Sequence, residues 1–497
     1  MTDFSTSHLQ KLHQRTERLR DELRAHEAKF AEPLAAVDPS SAPSARNLVH
    51  YHGLRSADLR ALQKDLAAIG LSSLGRSERW VLGNVEAVLR MLEAAMGQRL
   101  ETPPGNHPAT LSLRHGTELL EDHADQLFGP HDRRRARIMV TAPDEAVGSY
   151  ELVRDLLACG MDCLRINCAH GDEGDWSTLL AHLERARRET GRGCRTFMDL
   201  VGPNPRTRVP AGTLEDRRFS PGDRFALRGS APSAEAKAGP DDLPLLETTL
   251  EGVLHDLRPG QRLLINDGKI ATKVLERRNH DVIILEVTHC AGGSKKLKSD
   301  KGINLPDTPL DLPSLTEEDR ALLPFVAAHA DLIGYSFVRR PSDILALEEA
   351  LDHLDAHVGI VPKLETTEAF RHLPDILLTL LRSRPAGVMI ARGDMAVEIG
   401  FERLAEVQEE ILWFGEAAHL PVIWATQVLQ SHVKKGLAER GEITDAAMAS
   451  RAECVMLNKG PHVLEAVRSL DDVLGRMHVH FDKKRPLFRP LSITSPA

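Results

Sequence analysis

Val361-Pro-Lys-Leu-Glu365 is an apolar run that ends in a lysine and a carboxylate, and Ala391-Arg-Gly-Asp394 repeats this pattern about thirty residues later. An apolar run that abruptly becomes charged is typical of a buried parallel strand whose carboxyl end opens into a site. Because both runs end in charge, we predict that their ends lie at the same edge of one sheet.

The rest of the chain from Ala136 onward repeats short apolar runs that alternate with amphipathic segments. This alternation predicts βα units and a parallel sheet. Eight candidate strands are found, at residues 138–141, 163–167, 196–199, 332–336, 358–363, 387–391, 422–426 and 454–458. Eight such units predict a protein of the α/β class with a closed (β/α)8 TIM barrel.

Two further regions flank or interrupt the predicted barrel. Residues 206–306 are rich in glycine, aspartate and β-branched runs, which predicts a small inserted β-rich domain. Helical periodicity over residues 9–23, 59–66 and 80–96 predicts an N-terminal α-helical domain. We therefore expect four parts: a helical extension (1–133), the barrel (134–204 and 306–480), the inserted domain (205–305) and a C-terminal tail (481–497).

Composition excludes several functional classes. A chain of 497 residues is expected to form two or three domains, and its net charge of -9 argues against nucleic-acid binding. No apolar stretch is long enough to span a membrane, and residues 1–22 are too polar for a signal peptide. We expect a cytoplasmic protein without membrane partners. His50-Tyr-His52 is interpreted as a pair of hydrogen-bonded histidines rather than metal ligands.

Polar side chains at the ends of the predicted strands are candidates for a site at the barrel mouth. They are Arg165, Asn167, Asp199, Ser336, Lys363, Glu365, Asp394 and Thr426. Glu365 and Asp394, from adjacent strands, are placed to hold Mg²⁺, which prefers a few carboxylates and substrate oxygens. Lys363 precedes Glu365 by one pleat period, so it faces the same side and could neutralise an anion bound to the metal. The alternative is a structural ion pair, which is costly at the ends of several strands unless it serves a site.

An ordered set of motifs resembles one known family. The motifs are Arg165-Ile-Asn-Cys-Ala-His-Gly171, Met198-Asp-Leu-Val-Gly-Pro203, Lys301-Gly-Ile-Asn-Leu-Pro306, Ser336-Phe-Val-Arg339, Val361-Pro-Lys-Leu-Glu365, Ala391-Arg-Gly-Asp394 and Trp424-Ala-Thr-Gln427. In this order and spacing, over about residues 137–477, the chain resembles the pyruvate kinases. The resemblance implies a barrel with a lid domain between its third strand and third helix. It also implies Mg²⁺-dependent transfer of a phosphoryl group from phosphoenolpyruvate to ADP, giving pyruvate and ATP in glycolysis.

The resemblance also implies roles for individual residues. Lys363 would stabilise the transferring phosphoryl group, Arg165 would contact the phosphate, and Thr426 would lie near the enolate carbon that is protonated. The remaining implied positions are Gly393, Asp394 and Ser336 for the substrate, Glu365 and Asp394 for Mg²⁺, Asn167 and Asp199 for a possible K⁺, and Arg206 and Asp267 for the nucleotide.

The chain departs from the family pattern at the cation and nucleotide positions. Ala169 and Leu200 replace a serine and a threonine that supply oxygen ligands, so a requirement for K⁺ is left open. Gly148 falls where a nucleotide-contacting arginine is expected, and residues 457–460 are shorter than the family's segment beside the nucleotide, with Lys459 as a possible substitute charge. The sequence after the last predicted helix (463–477) leaves no room for the family's regulatory domain, so we expect a homo-oligomer reduced to a dimer.

Three functions stay open at this point. The first is a divergent pyruvate kinase, which the set of Lys363, Glu365, Asp394 and Thr426 favours. The second is a Mg²⁺-dependent lyase or phosphotransferase that acts on another 2-oxo acid or enolate. Departures from the family pattern that are confined to the ADP-binding positions would favour this function. The third is a noncatalytic sensor that binds phosphoenolpyruvate and uses the helical domain as its output.

Overall fold

A closed barrel of eight parallel strands forms the centre of the molecule. The computed structural model describes residues 6–489, except residues 100–109, 132, 212–213, 215–216, 230–239, 250–251, 280 and 311. The barrel strands are β1 (Arg137–Thr141), β2 (Cys163–Asn167), β3 (Arg195–Asp199), β4 (Leu332–Tyr335), β5 (Gly359–Leu364), β6 (Val388–Ala391), β7 (Val422–Ala425) and β8 (Cys454–Leu457). Each strand pairs with the next along the chain, and β8 pairs with β1. The predicted fold class is confirmed, with strand ends that differ from the predicted ones by at most one residue.

Helices cover the outside of the barrel between successive strands. In chain order they are Tyr150–Cys159, Glu173–Thr190, Glu317–His329, Pro341–His353, Thr367–Arg371, Leu373–Leu380, Arg392–Ile399, Leu404–Ala417, Gln430–Lys435, Arg440–Ala449 and Val463–His478. Short 3₁₀ helices occur at Asp144–Val147 and Phe401–Arg403. Both faces of the strands are buried, which is why the strands are nearly continuous apolar runs.

The described residues of the N-terminal domain form six helices: α1 (Thr6–Ala28), α2 (Ala31–Ala35), α3 (Ala42–Arg55), α4 (Arg60–Ala68), α5 (Val81–Ala95) and α6 (Leu113–Phe128). Their apolar faces pack together and against Trp413, Phe414 and Ala417 of a barrel helix. His50 Nε2 lies 2.8 Å from Glu27 Oε2, and His52 Nδ1 lies 3.0 Å from His26 Nε2. These two histidines therefore have protein partners, as the sequence predicted.

The end of α6 closes the amino-terminal end of the barrel. Leu127 and Phe128 join an interior layer of side chains from the strands, including Met139, Cys163 and Met389. The glycines that open β5 and precede β6 make room for this plug. A Cβ atom on Gly359 or Gly387 would lie 3.0 or 2.8 Å from a methyl group of Leu127. A side chain at either position would crowd Leu127, and it would also meet Leu332 beside Gly359 or the carbonyl oxygen of Pro421 beside Gly387.

The inserted domain lies between β3 and the helix Glu317–His329, as the sequence predicted. Among the residues of this domain that the structure describes, the main sheet has seven strands, in the order Ile303–Asn304, Arg262–Ile265, Ile270–Arg277, Val282–Cys290, Arg224–Gly229, Leu245–Thr248 and Thr207–Arg208. A second pair joins Arg218–Phe219 to Lys295–Lys296, and short helices occur at Pro240–Asp242 and Val253–Asp256. The sheet has an apolar core of its own.

The described part of the C-terminal tail forms a hairpin in which Phe481–Asp482 pairs antiparallel with Arg485–Pro486. Residues 490–497 of the predicted tail lie outside the described residues. The hairpin carries charged side chains into the contact between the N-terminal domain and the barrel. Asp482 accepts hydrogen bonds from Arg79, and Lys483 Nζ lies 2.5 Å from Glu453 Oε1. Across the part of the chain that is described, no helix is both long and apolar enough to cross a membrane.

A fully buried histidine ties the N-terminal domain to the barrel. His419 Nε2 lies 3.0 Å from the carbonyl oxygen of Arg79, so this nitrogen donates and Nδ1 accepts from the hydroxyl of Ser44 at 2.9 Å. Burial lowers the pKa of His419 to about 3. The neutral imidazole is therefore the form that fits the folded protein.

This histidine makes the protein less stable in acid. Between pH 6.5 and 3 the unfolded chain binds a proton at His419 that the folded chain does not, so stability falls as the pH falls through this range. At pH 5 the expected loss from this residue is about 2 kcal/mol. In His419→Asn the fall in unfolding free energy between pH 8 and pH 5, measured by urea titration, should be smaller by that amount. His353→Asn, at an exposed helix end, is the control and should titrate like the wild type.

Candidate active site

Three charged side chains meet at the carboxyl ends of β2, β3 and β5. Arg165 Nε donates to Asp199 Oδ2 at 2.9 Å, and a second nitrogen of the guanidinium contacts the same oxygen. Lys363 Nζ lies 3.6 Å from this oxygen and donates to Ser336 Oγ at 2.9 Å. Burial opposes ionisation of Asp199, but Lys363 and Arg165 together lower its pKa. The barrel mouth therefore holds an ionised carboxylate between two cations.

Lys363 remains charged although it is buried. Burial acts to lower the pKa of Lys363, but Asp199 and Glu365 raise it above the ordinary value. Its Nζ lies 3.1 Å from Glu365 Oε1. The two side chains thus face the same side, as predicted from their spacing along the strand.

Glu365 is almost fully buried, with 2% of its surface exposed. Its Oε2 accepts a hydrogen bond from the backbone N–H of Phe337 at 2.7 Å. Phe337 has a φ of 55°, a conformation that is uncommon for a bulky residue. Burial raises the pKa of Glu365 to about 7, Lys363 opposes this shift, and Asp394 adds to it.

The helix Arg392–Ile399 starts directly after β6 and places Gly393 and Asp394 in its first turn. The N–H groups of a first turn have no partners within the helix, so they are available to bind an anion. Asn304, which lies in the last strand of the inserted domain, places its Nδ2 3.4 Å from Asp394 Oδ1. A residue of the inserted domain thus reaches the barrel mouth.

Thr426 follows β7 in a strained conformation. Its φ is 65°, which is rare for a β-branched residue. Arg392 fixes this backbone, because its guanidinium donates to the carbonyl oxygens of Ala425 and Thr426 and pairs with Asp445. Within the described part of the chain, the buried Thr426 Oγ1 has no hydrogen-bond partner. The structure therefore holds a free hydroxyl group at the mouth.

The positions expected for a monovalent cation are only partly polar. Asn167 lies opposite Asp199 in the pairing of β2 with β3. Its side-chain oxygen accepts from the backbone N–H of Ala169 at 3.3 Å. Leu200 is buried, and it contributes its carbonyl oxygen to Ser336 rather than a side-chain ligand. Arg165 and Lys363 already neutralise the carboxylate of Asp199.

The predicted nucleotide residues lie apart from this cluster. Arg206 pairs with Asp300 at 2.9 Å within the inserted domain. Asp267 lies in a turn of that domain, 3.2 Å from Lys269 Nζ. The turn approaches the barrel, since a Cβ on Gly268 would lie 3.7 Å from Val397 Cγ1. Neither Arg206 nor Asp267 contacts Lys363 or Glu365.

Lys459, the possible substitute charge beside the nucleotide, already has a partner. Its Nζ lies 2.6 Å from Asp144 Oδ1, across the ends of β8 and β1. Much of its charge is therefore compensated within the chain.

Residues missed from the sequence include Asn304, Phe337, Arg392 and Glu398. Asn304 and Phe337 belong to motifs that were recognised, but nothing in a linear pattern shows that they contact Asp394 and Glu365. Glu398 lies one helical turn after Asp394, and a carboxylate spaced four residues from a candidate ligand was the signal available. Burial and Asp394 raise the pKa of Glu398 to about 7.

The donor set at the mouth fits Mg²⁺. Among the described residues, no group of three or more His, Cys, Asp or Glu side chains is arranged to hold a metal ion. Mg²⁺ needs fewer protein ligands, because it usually keeps several waters and takes one or two carboxylates together with substrate oxygens. Glu365, buried at the mouth, and Asp394, in the first turn after β6, are the two carboxylates that would form such a pair.

The barrel mouth holds buried cations and carboxylates, and the inserted β-rich domain lies over it. This combination defines a class of enzymes that act on anionic substrates. The family model described as "Pyruvate kinase, barrel domain" matches residues 133–462. The chain belongs to the pyruvate kinase family.

Individual pyruvate kinases are similar to this chain in sequence or in fold. The chain is 30% identical over 364 residues to a pyruvate kinase of Bacillus licheniformis, covering 71% of this chain and 59% of that protein. It is 31% identical over 361 residues to a pyruvate kinase of Mycobacterium tuberculosis, covering 71% and 72%. A crystal structure of a pyruvate kinase from Cryptosporidium parvum shares the fold, with a TM-score of 0.63, 24% identity and coverage of 72% and 73%. The matched region thus spans less than two thirds of the Bacillus protein.

Proposed function

We propose that this protein transfers the phosphoryl group of phosphoenolpyruvate to ADP, in the presence of Mg²⁺, and forms pyruvate and ATP as a step of glycolysis. The observation that carries the proposal is the contact of the charged Lys363 with Glu365 at 3.1 Å and Ser336 at 2.9 Å. Phosphoryl transfer depends on positioning and on charge neutralisation more than on covalent chemistry. A buried ammonium beside a metal-binding carboxylate supplies such neutralisation.

Each step of the proposed reaction has a group in this site. Lys363 and Arg165 neutralise the phosphoryl group as its bond to the enolate oxygen breaks and a bond to an oxygen of ADP forms. The first turn at Gly393 and Asp394 binds the substrate carboxylate, and Ser336 orients Lys363. The enolate then takes a proton on its methylene carbon, and the unpartnered hydroxyl of Thr426 is the group assigned to this side of the site. Glu365 and Asp394 would hold Mg²⁺, which when bound supplies further positive charge to the phosphoryl oxygens.

We propose Asn167 and Asp199 as the nearest remnants of a monovalent-cation site, and Arg206 and Asp267 as the residues that approach ADP from the lid. Because Arg165 and Lys363 already compensate Asp199, turnover should not require K⁺.

The first experiment measures pyruvate formation from phosphoenolpyruvate and ADP with Mg²⁺, with and without K⁺. We expect Mg²⁺-dependent turnover that changes less than about twofold when K⁺ replaces a larger organic cation at constant ionic strength. A loss of turnover without K⁺ would contradict the expected K⁺ independence but not the reaction. No pyruvate under any condition would contradict the proposed reaction itself.

A different phosphoryl acceptor is the second candidate. It is supported by the departures at the nucleotide positions, such as Gly148, and by the exposed ion pair that directs Lys459 toward Asp144 of the same chain. If phosphoenolpyruvate binds but ADP does not support turnover, other nucleoside diphosphates and 2-oxo acids are the acceptors to test.

We also propose that the boundaries between the parts predicted from the sequence lie after residues 133, 204, 305 and 480. We propose, in addition, that the protein is cytoplasmic and forms a homodimer. The mass of the purified protein in solution tests the dimer.

A further inference from the structure

A buried carboxylate, Asp319, lies where the inserted domain leaves and rejoins the barrel. Asp319 belongs to the first turn of the helix Glu317–His329, which is the first barrel element after the insert, and it has no exposed surface. Its Oδ1 accepts a hydrogen bond from the backbone N–H of Val201 at 2.9 Å, and its Oδ2 accepts from that of Gly202 at 3.1 Å. Asp319 therefore joins the segment that leads out to the insert to the helix that follows it.

The start of the same helix holds the carboxylate of Asp319 in place. Thr316 Oγ1 donates to Asp319 Oδ2 at 2.7 Å, and the backbone N–H of Asp319 donates to Thr316 Oγ1 at 3.0 Å. This reciprocal pattern is a capping box. The two carboxylate oxygens thus have fixed positions relative to the barrel, and so do the two backbone N–H groups that they bind.

The outgoing segment connects Asp319 to Lys363. Leu200 directly precedes the two residues that Asp319 binds, and its carbonyl oxygen accepts from Ser336 Oγ at 2.7 Å. A serine hydroxyl has one hydrogen, so Ser336 can only accept from Lys363, whose Nζ lies 2.9 Å away. The position of the Leu200 carbonyl therefore sets the direction in which Ser336 offers its lone pair to Lys363.

Packing at Gly202 makes this connection stiff. Gly202 has a φ of 68°, and a Cβ atom on it would lie 2.8 Å from Ser336 Cβ. Ser336 itself is 2% exposed. Because the backbone at Gly202 touches Ser336 on one side and Asp319 on the other, a shift of the outgoing segment also shifts Ser336.

We infer that Asp319 is a positioning residue for Lys363, and that it acts through residues 200–202 and Ser336 rather than by contact with the lysine. A misplacement of about 1 Å at a catalytic group can cost on the order of a hundredfold in rate. Asp319 holds the point at which the lid leaves the barrel, so movement of the lid does not carry the ammonium of Lys363 out of place. The inference rests on the proposed function, because it concerns the placing of the cation in that reaction.

Asp319→Asn is the test variant, because it keeps the size of the side chain but turns one acceptor oxygen into a donor that faces other donors. We expect kcat for pyruvate formation to fall about tenfold to a hundredfold. The KM for phosphoenolpyruvate should change less than about threefold, since Asp319 does not contact the substrate site. An unchanged kcat would overturn the inference, whereas absence of turnover in the wild type would contradict the proposed function instead.

The matched control is Glu442→Gln. Glu442 occupies the same position of a capping box in the helix Arg440–Ala449, and it also accepts from the backbone N–H of a preceding segment, at Ser431. This variant should keep the kcat of the wild type. A loss equal to that of Asp319→Asn would show that any such capping carboxylate affects turnover, and it would overturn a specific role of Asp319.

A double-mutant cycle with Ser336→Ala separates positioning from a purely structural role. Because the connection passes through Ser336, Asp319→Asn should lower kcat by less than about twofold when it is added to Ser336→Ala. The same fold loss in both backgrounds would overturn the inference. If Asp319→Asn does not fold, as judged by urea unfolding, Thr316→Ala replaces it in the cycle. Thr316→Ala removes the hydroxyl that holds Asp319 Oδ2 and should lower kcat several-fold, and an unchanged kcat there would count equally against the inference.

Discussion

Lys363→Met is expected to lower turnover on the order of a thousandfold, because it removes the cation that faces the transferring phosphoryl group. Methionine keeps an unbranched apolar side chain of similar volume, and it removes the charge together with the hydrogen bond to Ser336. Because the variant leaves Glu365 and Asp394 in place, it should still bind Mg²⁺. Turnover is measured as pyruvate formation at saturating substrate, and Mg²⁺ binding is measured by titration calorimetry at pH 8.

The matched variant Glu365→Gln separates the two effects. It keeps Lys363 and the hydrogen bond from Phe337, but it removes a charge from the proposed metal pair. We expect it to lose both turnover and Mg²⁺ binding, whereas Lys363→Met loses turnover alone. Unchanged turnover in Lys363→Met would refute the assignment of this mouth as the active site.

Arg79→Met is expected to cost about 3–5 kcal/mol of unfolding free energy, because it leaves the buried Glu416 with only the more distant Arg485, at 3.8 Å, and removes one of the arginines that pair with Asp482. Arg79 is 2% exposed and donates to both carboxylate oxygens of Asp482 in the C-terminal hairpin. Its Nε also lies 2.9 Å from Glu416 Oε1, although without the alignment of a hydrogen bond. One side chain thus connects the N-terminal domain, a barrel helix and the hairpin.

Urea unfolding followed by tryptophan fluorescence measures this effect, since Trp80 precedes α5 and Trp413 packs against the N-terminal domain. The control is Arg114→Met in α6, whose pair with Glu118 is exposed and should contribute less than about 1 kcal/mol. If the two variants were equally stable, the network around Arg79 would not hold the domain to the barrel. The turnover of Arg79→Met below its unfolding transition then shows whether the N-terminal domain influences the mouth.

The sequence predicted much of the candidate site because the geometry of a parallel barrel is regular. Strands that end in charge must place those charges at one face, so Arg165, Lys363 and Glu365 could be brought together from their positions alone. The pairing of Lys363 with Glu365 followed from the two-residue period of a strand. The family motifs further predicted the roles of these side chains and the position of the lid domain in the chain.

Contacts between distant segments could not be predicted in this way. That Asn304 reaches Asp394, and that Phe337 donates to Glu365 from a left-handed conformation, depends on how the lid and loops pack over the barrel. The position of the free hydroxyl of Thr426 depends on Arg392, because the Arg392 guanidinium donates to the carbonyl oxygen of Thr426 and holds its strained backbone. A linear pattern contains no information on which unpaired donor faces which acceptor.

The sequence by itself determined the barrel, the inserted β-rich domain and the N-terminal helices, because burial imposes a periodic pattern on each element. Only the tertiary structure decided how these parts are joined. The plug formed by Leu127 and the buried network of Arg79 both arise from residues far apart in the chain. Their energies depend on exclusion of water and on close packing, which exist only once the chain is folded.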